Sequence, residues 1–102
     1  MSKNLRSKHL RTLLAIFRNP IPKNLAWDEI EGLLLALGAE LSAGKGSRVR
    51  VYLNKRRAIF HRPHPEKEVD RGALRSLRRF LIEADIDPND FENNEGADDE
   101  ER

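Results

Sequence analysis

The chain has 102 residues, 35% of them charged, and no cysteine, which bounds it to one small domain and excludes a disulfide framework or a cysteine zinc site. No apolar run approaches the ~18 residues of a membrane-spanning helix, and the short apolar stretch at 13–17 lacks the small-residue cleavage site of a secretory signal. The formal charge of +2 conceals an asymmetry: residues 1–86 carry 18 basic and 9 acidic side chains, whereas residues 87–102 carry eight acidic and one basic, so the body suits a polyanionic partner or a merely well-solvated surface.

Residues 4–18 are expected to form a helix, because Leu10, Leu13, Leu14 and Phe17 recur at spacings of three and four. Asn19, Pro20 and Pro22 end it. This helix reads as an N-terminal extension over 1–24, with His9 on its surface. A second helix is expected over 27–37. Asp28, Glu29 and Glu31 suit its partly positive first turns, Ile30, Leu33, Leu34 and Leu37 form its apolar stripe, and Gly38 stops it. Ala26 offers no capping side chain, and Trp27 joins the core.

Three short strands should follow, over 39–42, 48–53 and 57–61. The middle one is the clearest: Val49, Val51 and Leu53 alternate with Arg48, Arg50 and Tyr52, the period of a half-buried strand. Gly44-Lys45-Gly46-Ser47 before it lacks the spacing and following helix of a nucleotide-binding loop, so that role is rejected. Asn54-Lys55-Arg56 turns the chain back, and Pro63 and Pro65 end the third strand.

A last helix is expected over 70–84, with Asp70 as its N-cap. Ala73, Leu74, Leu77, Phe80, Leu81 and Ala84 fall on one arc, and Arg71, Arg75, Arg78 and Arg79 on the opposite one. Residues 87–102 are acidic and nearly devoid of apolar side chains, and a disordered tail is expected. It either solubilises the chain or folds back over the basic face in imitation of RNA. The order gives an α+β fold: α-β-β-β-α over 25–86, a three-stranded antiparallel sheet with helices packed on one face, and an extra N-terminal helix.

Two motifs in the stretch 27–86 resemble those of the HicA toxin family. Gly46-Ser47 leads into the second strand where the family has Gly-Ser-His, and Pro63-His64-Pro65 precedes a helix beginning Gly72-Ala73-Leu74-Arg75-Ser76-Leu77, similar to the family's Gly-Thr-hydrophobic-Lys/Arg-Ser-hydrophobic start. The resemblance implies a double-stranded-RNA-binding-domain-like fold, toxin activity by cleavage of mRNA in the cytoplasm, and a HicB-type antitoxin partner that covers the active face. It implies no cofactor.

The family's usual catalytic histidine directly follows Gly-Ser, and here that position is Arg48. Metal-independent RNA cleavage needs a base for the 2′-hydroxyl proton, and histidine titrates near neutrality whereas arginine stays protonated. Arg48 is therefore expected to hold phosphate or stabilise transition-state charge. His61 or His64 is the candidate base; otherwise His64 holds its turn, His61 is a surface residue, and the chain is a non-catalytic RNA-binding module. Too few acids accompany the histidines for a metal site.

The candidate RNA-binding residues are Lys45, Ser47, Arg48, Arg50, Tyr52, Arg57, Arg62, Arg71, Arg75, Arg78 and Arg79, with Lys55 and Arg56 nearby. RNA is recognised largely through phosphates, 2′-hydroxyls and stacked bases. Tyr52 either stacks on a base or caps the sheet, and the helical arginines either bind RNA, dock an acidic antitoxin or face solvent. A basic protein-interaction domain is the remaining alternative.

Overall fold

A computed structural model describes residues 3–64 and 67–93. The elements run β1 (Lys3–Leu5), α1 (Ser7–Ile16), α2 (Trp27–Ala36), β2 (Glu40–Ala43), β3 (Arg48–Leu53), β4 (Arg56–His61), α3 (Arg71–Glu83), a 3-10 turn (Pro88–Asp90) and β5 (Phe91–Asn93). Strands β2, β3 and β4 form an antiparallel sheet in that order. In β3 the alternation decides the faces: Val49, Val51 and Leu53 are buried while Arg48, Arg50 and Tyr52 are exposed.

The buried row meets Ile30, Leu33 and Leu34 of α2 and Leu74, Leu77 and Leu81 of α3 in one core. Phe60 of β4 meets Phe80 of α3 edge to face, with ring centroids 6.0 Å apart. From α2 to α3 the chain is thus the expected α-β-β-β-α arrangement, with one face of the sheet covered and the other open.

Local chemistry sets the element ends. Ala26 has no capping side chain, and the Glu29 carboxylate instead accepts the Ala26 N–H at 2.9 Å. Asp70 caps α3 by accepting the Ala73 N–H at 2.7 Å. Helix α2 ends on Gly38 in the left-handed conformation (φ 95°), with the Gly38 and Ala39 amides bonded back to Leu35 and Leu34. Helix α3 ends the same way around Asp85 (φ 63°).

The two ends of the chain depart from the sequence expectation. Helix α1 is no loose extension: Leu13 and Ile16 are fully buried in the common core. Residues 87–93, which composition assigns to a disordered tail, form the 3-10 turn and β5, and β5 pairs in parallel with β1. The Asp87 side chain accepts the Asn89 N–H at 2.9 Å to start that turn, and the Lys3 ammonium sits 5.9 Å from the Phe91 ring centroid. The acidic residues beyond 93 lie outside the described residues.

Arg78 joins α3 to α1. Its Nε donates to the Ile16 carbonyl at 2.8 Å, one terminal nitrogen to the Arg18 carbonyl at 2.8 Å, and the other to Asn19 Oδ1 at 3.3 Å. The last carbonyls of a helix lack partners within it and carry partial negative charge, so a planar cation satisfies both needs. Arg78→Ala is expected to lower stability by about 2 kcal/mol, and Arg78→Lys to recover less than half of that loss, read from urea midpoints at constant m-value. Equal midpoints for all three proteins would show that the fork holds nothing.

His9 is half-buried, not a free surface group: its ring lies against Gly32, where an added Cβ would come within 3.2 Å of Cε1. Burial, then the charges of Lys8 and Arg6, hold its pKa below the ordinary 6.5. The folded chain therefore binds fewer protons here than the unfolded chain, and stability is lost as the pH falls below about 6.5. His9→Gln is expected to flatten the dependence of the urea midpoint on pH between about 7 and 5; an undiminished slope would assign the titration to another group.

Candidate functional site

The open face of the sheet is built by the residues that the alternation turns away from the core. These are Arg48, Arg50 and Tyr52 on β3 and Arg57, Ile59 and His61 on β4, all exposed. The register pairs Arg48 with His61, Arg50 with Ile59 and Tyr52 with Arg57, and β2 adds Ser42 beside Arg50 and Glu40 beside Tyr52. The Arg57 guanidinium carbon lies 5.5 Å from the Tyr52 ring centroid, a cation–π arrangement that keeps the aromatic ring on this face.

One end of this face gathers the candidate chemistry. The loop between β2 and β3 turns at Lys45–Gly46, where Gly46 adopts φ 63°, and delivers Ser47 beside the end of β4. Ser47 Oγ lies 3.4 Å from His61 Nδ1, and the Arg62 N–H donates to the Ser47 carbonyl at 2.8 Å. Lys45, Arg48 and Arg62 are all exposed around this pair. His61 thus lies directly across the ladder from Arg48.

His64 lies in the turn beyond β4, where its carbonyl accepts the Lys67 N–H at 2.9 Å. Of the two candidate histidines, His61 is the one in register with Arg48.

The pair has a defined chemical capacity. When the Nδ1–H of His61 donates to Ser47 Oγ, Nε2 carries the lone pair and can accept a proton. The 3.4 Å separation is long for a hydrogen bond and orients the ring more than it binds it. Arginine at 48 and 62 and lysine at 45 supply donors for an anionic group beside that nitrogen. Among the described residues no group of three or more His, Cys, Asp or Glu side chains is arranged to hold a metal ion.

The four arginines of α3 do not form the single stripe expected. Arg78 is half-buried, with its guanidinium committed to the end of α1. Arg71, Arg75 and Arg79 remain exposed at successive turns. They project from the side of α3 opposite Leu74, Leu77 and Leu81, the side that covers the sheet. The helix arginines and the open sheet face are therefore two surfaces.

Sequence reasoning passed over Ile59. It is 62% exposed in the row between Arg57 and His61. Beside it, a cleft of about 630 Å³ runs between β4 and the start of α3, lined by Ile59, Phe60, His61, Val69 and Ala73 among others. The period-two pattern already put Ile59 on the same face as His61. An apolar residue among basic ones gave no chemical signal of its own.

No curated protein and no solved structure matches the chain, and no described helix is long and apolar enough to cross a membrane. A family model described as HicA toxin of bacterial toxin-antitoxin matches residues 27–86, the span that begins with Trp27 of α2 and ends just after α3. That span holds the whole three-stranded sheet, both helices on its covered face and the Ser47–His61 pair. With more than half of its length matched, the chain belongs to the HicA toxin family of bacterial toxin–antitoxin systems, and an antitoxin partner is implied.

Proposed function

We propose that this toxin binds mRNA along the open face of its sheet and cleaves it as a metal-independent endoribonuclease, with His61 as the general base. The observation that carries the reading is the register of Arg48 with His61, together with Ser47 Oγ 3.4 Å from His61 Nδ1. A base on the neighbouring strand answers the departure at position 48, because residues opposite each other in a ladder serve one patch of surface.

In the proposed reaction the 2′-oxygen of a nucleotide attacks the adjacent phosphorus and its proton passes to His61 Nε2. The bond from phosphorus to the 5′-oxygen breaks. The products are a 2′,3′-cyclic phosphate and a 5′-hydroxyl that takes its proton from solvent. Arg48, with Lys45 and Arg62 beside it, holds the phosphate and offsets its charge as the pentacovalent state forms. Arg50 and Arg57 engage the flanking backbone, and Tyr52 stacks on a base. Ser47 sets the ring of His61. The substrate is met in the cytoplasm, and a HicB-type antitoxin restrains the enzyme by covering this face.

Incubation of labelled single-stranded mRNA with the purified full chain in EDTA tests the reading. Cleavage is expected, with His61→Ala slower by about 100-fold or more and His64→Ala close to the unaltered protein. Binding without cleavage would leave a non-catalytic RNA-binding member of the family. Loss in His64→Ala alone would move the base to the turn.

RNA affinity separates the two basic surfaces. Arg50→Ala with Arg57→Ala is expected to weaken binding and to reduce the slope of log affinity against log salt by roughly 0.7 for each phosphate no longer engaged. Replacing Arg71, Arg75 and Arg79 by alanine is expected to leave that slope nearly unchanged. The reverse pattern would move the RNA to α3.

A further inference from the structure

The hydrogen-bond phase of the sheet shows which main-chain groups are left open. The Gly44 N–H donates to the Arg48 carbonyl at 2.8 Å, so Arg48, Arg50 and Tyr52 turn their main chain toward β2. The Arg62 N–H donates to the Ser47 carbonyl at 2.8 Å, and the register then directs the amides and carbonyls of Arg56, Ala58 and Phe60 toward β3. What remains are the N–H and C=O groups of Arg57, Ile59 and His61, which point out of the sheet along its β4 margin.

We propose that this margin seats an extended segment of the antitoxin, alternating acidic and apolar residues, which adds to β4 as a fourth strand. The proposal rests on the toxin reading for the identity of the partner and on the sheet for the mode of binding.

Shape and charge both favour such a segment. An open strand edge is a template for another strand. Side chains of an added strand would alternate between the two faces of the sheet. On the open face they would stand beside Arg57 and His61, with Arg50 and Arg48 one strand further in, so carboxylates fit there. On the other face they would enter the cleft of about 630 Å³, where Phe60, Val69 and Ala73 offer apolar contact.

Lys67, Glu68 and Asp70 also line that cleft, the Asp70 carboxylate already engaged by the Ala73 N–H, so the side chains turned into it are the apolar ones of the segment and its carboxylates lie on the open face. The opposite margin, β2, carries Glu40 and is the poorer fit for an acidic strand. A second copy of this chain is also a poor fit, since joining two β4 margins would set two strongly basic strands side by side. An added strand would lie against His61 and close the reactive end of the face.

The test uses the full chain, labelled with ¹⁵N, and a blocked synthetic peptide alternating Glu with Val. The amides of Arg57, Ile59 and His61 are expected to shift and to gain protection from hydrogen exchange, while those of Ala58 and Phe60, already bonded to β3, change little. That alternation is the signature of strand addition. Ile59→Pro removes an outward amide without touching the ladder to β3 and is expected to weaken the peptide roughly tenfold or more. Unchanged β2 and β3 resonances would show that the variant keeps its fold.

A peptide with Lys in place of Glu is expected not to bind. Shifts without alternation, or protection at the β2 margin instead, would overturn the proposal. Protection that appears without peptide and grows with protein concentration would overturn it in favour of a second copy. No RNA enters the measurement, so a chain that fails to cleave RNA still reports on this edge.

Discussion

The position of His61 depends on a two-residue turn. Asn54 and Lys55 both adopt positive φ, 50° and 69°, the twist that closes a tight hairpin between β3 and β4. The turn fixes the register, and the register puts His61 across from Arg48. A slip of one residue would carry His61 to the covered face and Phe60 to solvent. Asn54 is held in turn by α3, its side-chain amide donating to the Ala84 carbonyl at 2.8 Å. At Lys55 a non-glycine side chain at positive φ is tolerated because the strands on both sides of the turn are locked in the ladder.

If His61 is the base, as proposed, this arrangement accounts for an arginine at position 48 without loss of an imidazole from the site. Arg48 and His61 form a pair that is not hydrogen-bonded across the ladder, where opposed Cα atoms approach to about 4.5 Å. Side chains from either strand therefore reach the same small region above the sheet. On the proposed reading, His61 places an imidazole where a histidine at position 48 would place one, and position 48 is left for a permanent cation. Arg48, Arg50 and Arg62 are all exposed around this region. Such charge is tolerated because these groups remain in water, where like charges are well screened.

Much of this was legible in the sequence, for reasons that are local. The alternation of Val49, Val51 and Leu53 with Arg48, Arg50 and Tyr52 defines both faces of the sheet by its period alone. The stripes of α2 and α3, the Asp70 cap and the Gly38 stop follow from periods and capping chemistry confined to one turn. The features that composition and period do not reveal are non-local. Arg78 sits among three other arginines, and only the approach of α1, some sixty residues earlier in the chain, distinguishes it. His9 reads as exposed because Gly32, the residue that admits its ring, belongs to another helix. For the site, both histidines could be named from the sequence, but which of them faces Arg48 follows only from the register.

The pairing of β1 with β5 has a consequence for how the molecule is made. A parallel pair needs a crossover between its strands, and here the crossover is the rest of the domain. In chain order β1 precedes, and β5 follows, the three-stranded sheet and helices α1, α2 and α3. The clasp therefore cannot form before everything between its strands has been made, and a contact of such large sequence separation is the kind whose loop-closure entropy is recovered only after the intervening chain has condensed. Completion of the 3-10 turn and β5 is thus what allows β1 to close the sheet and helices into one ring.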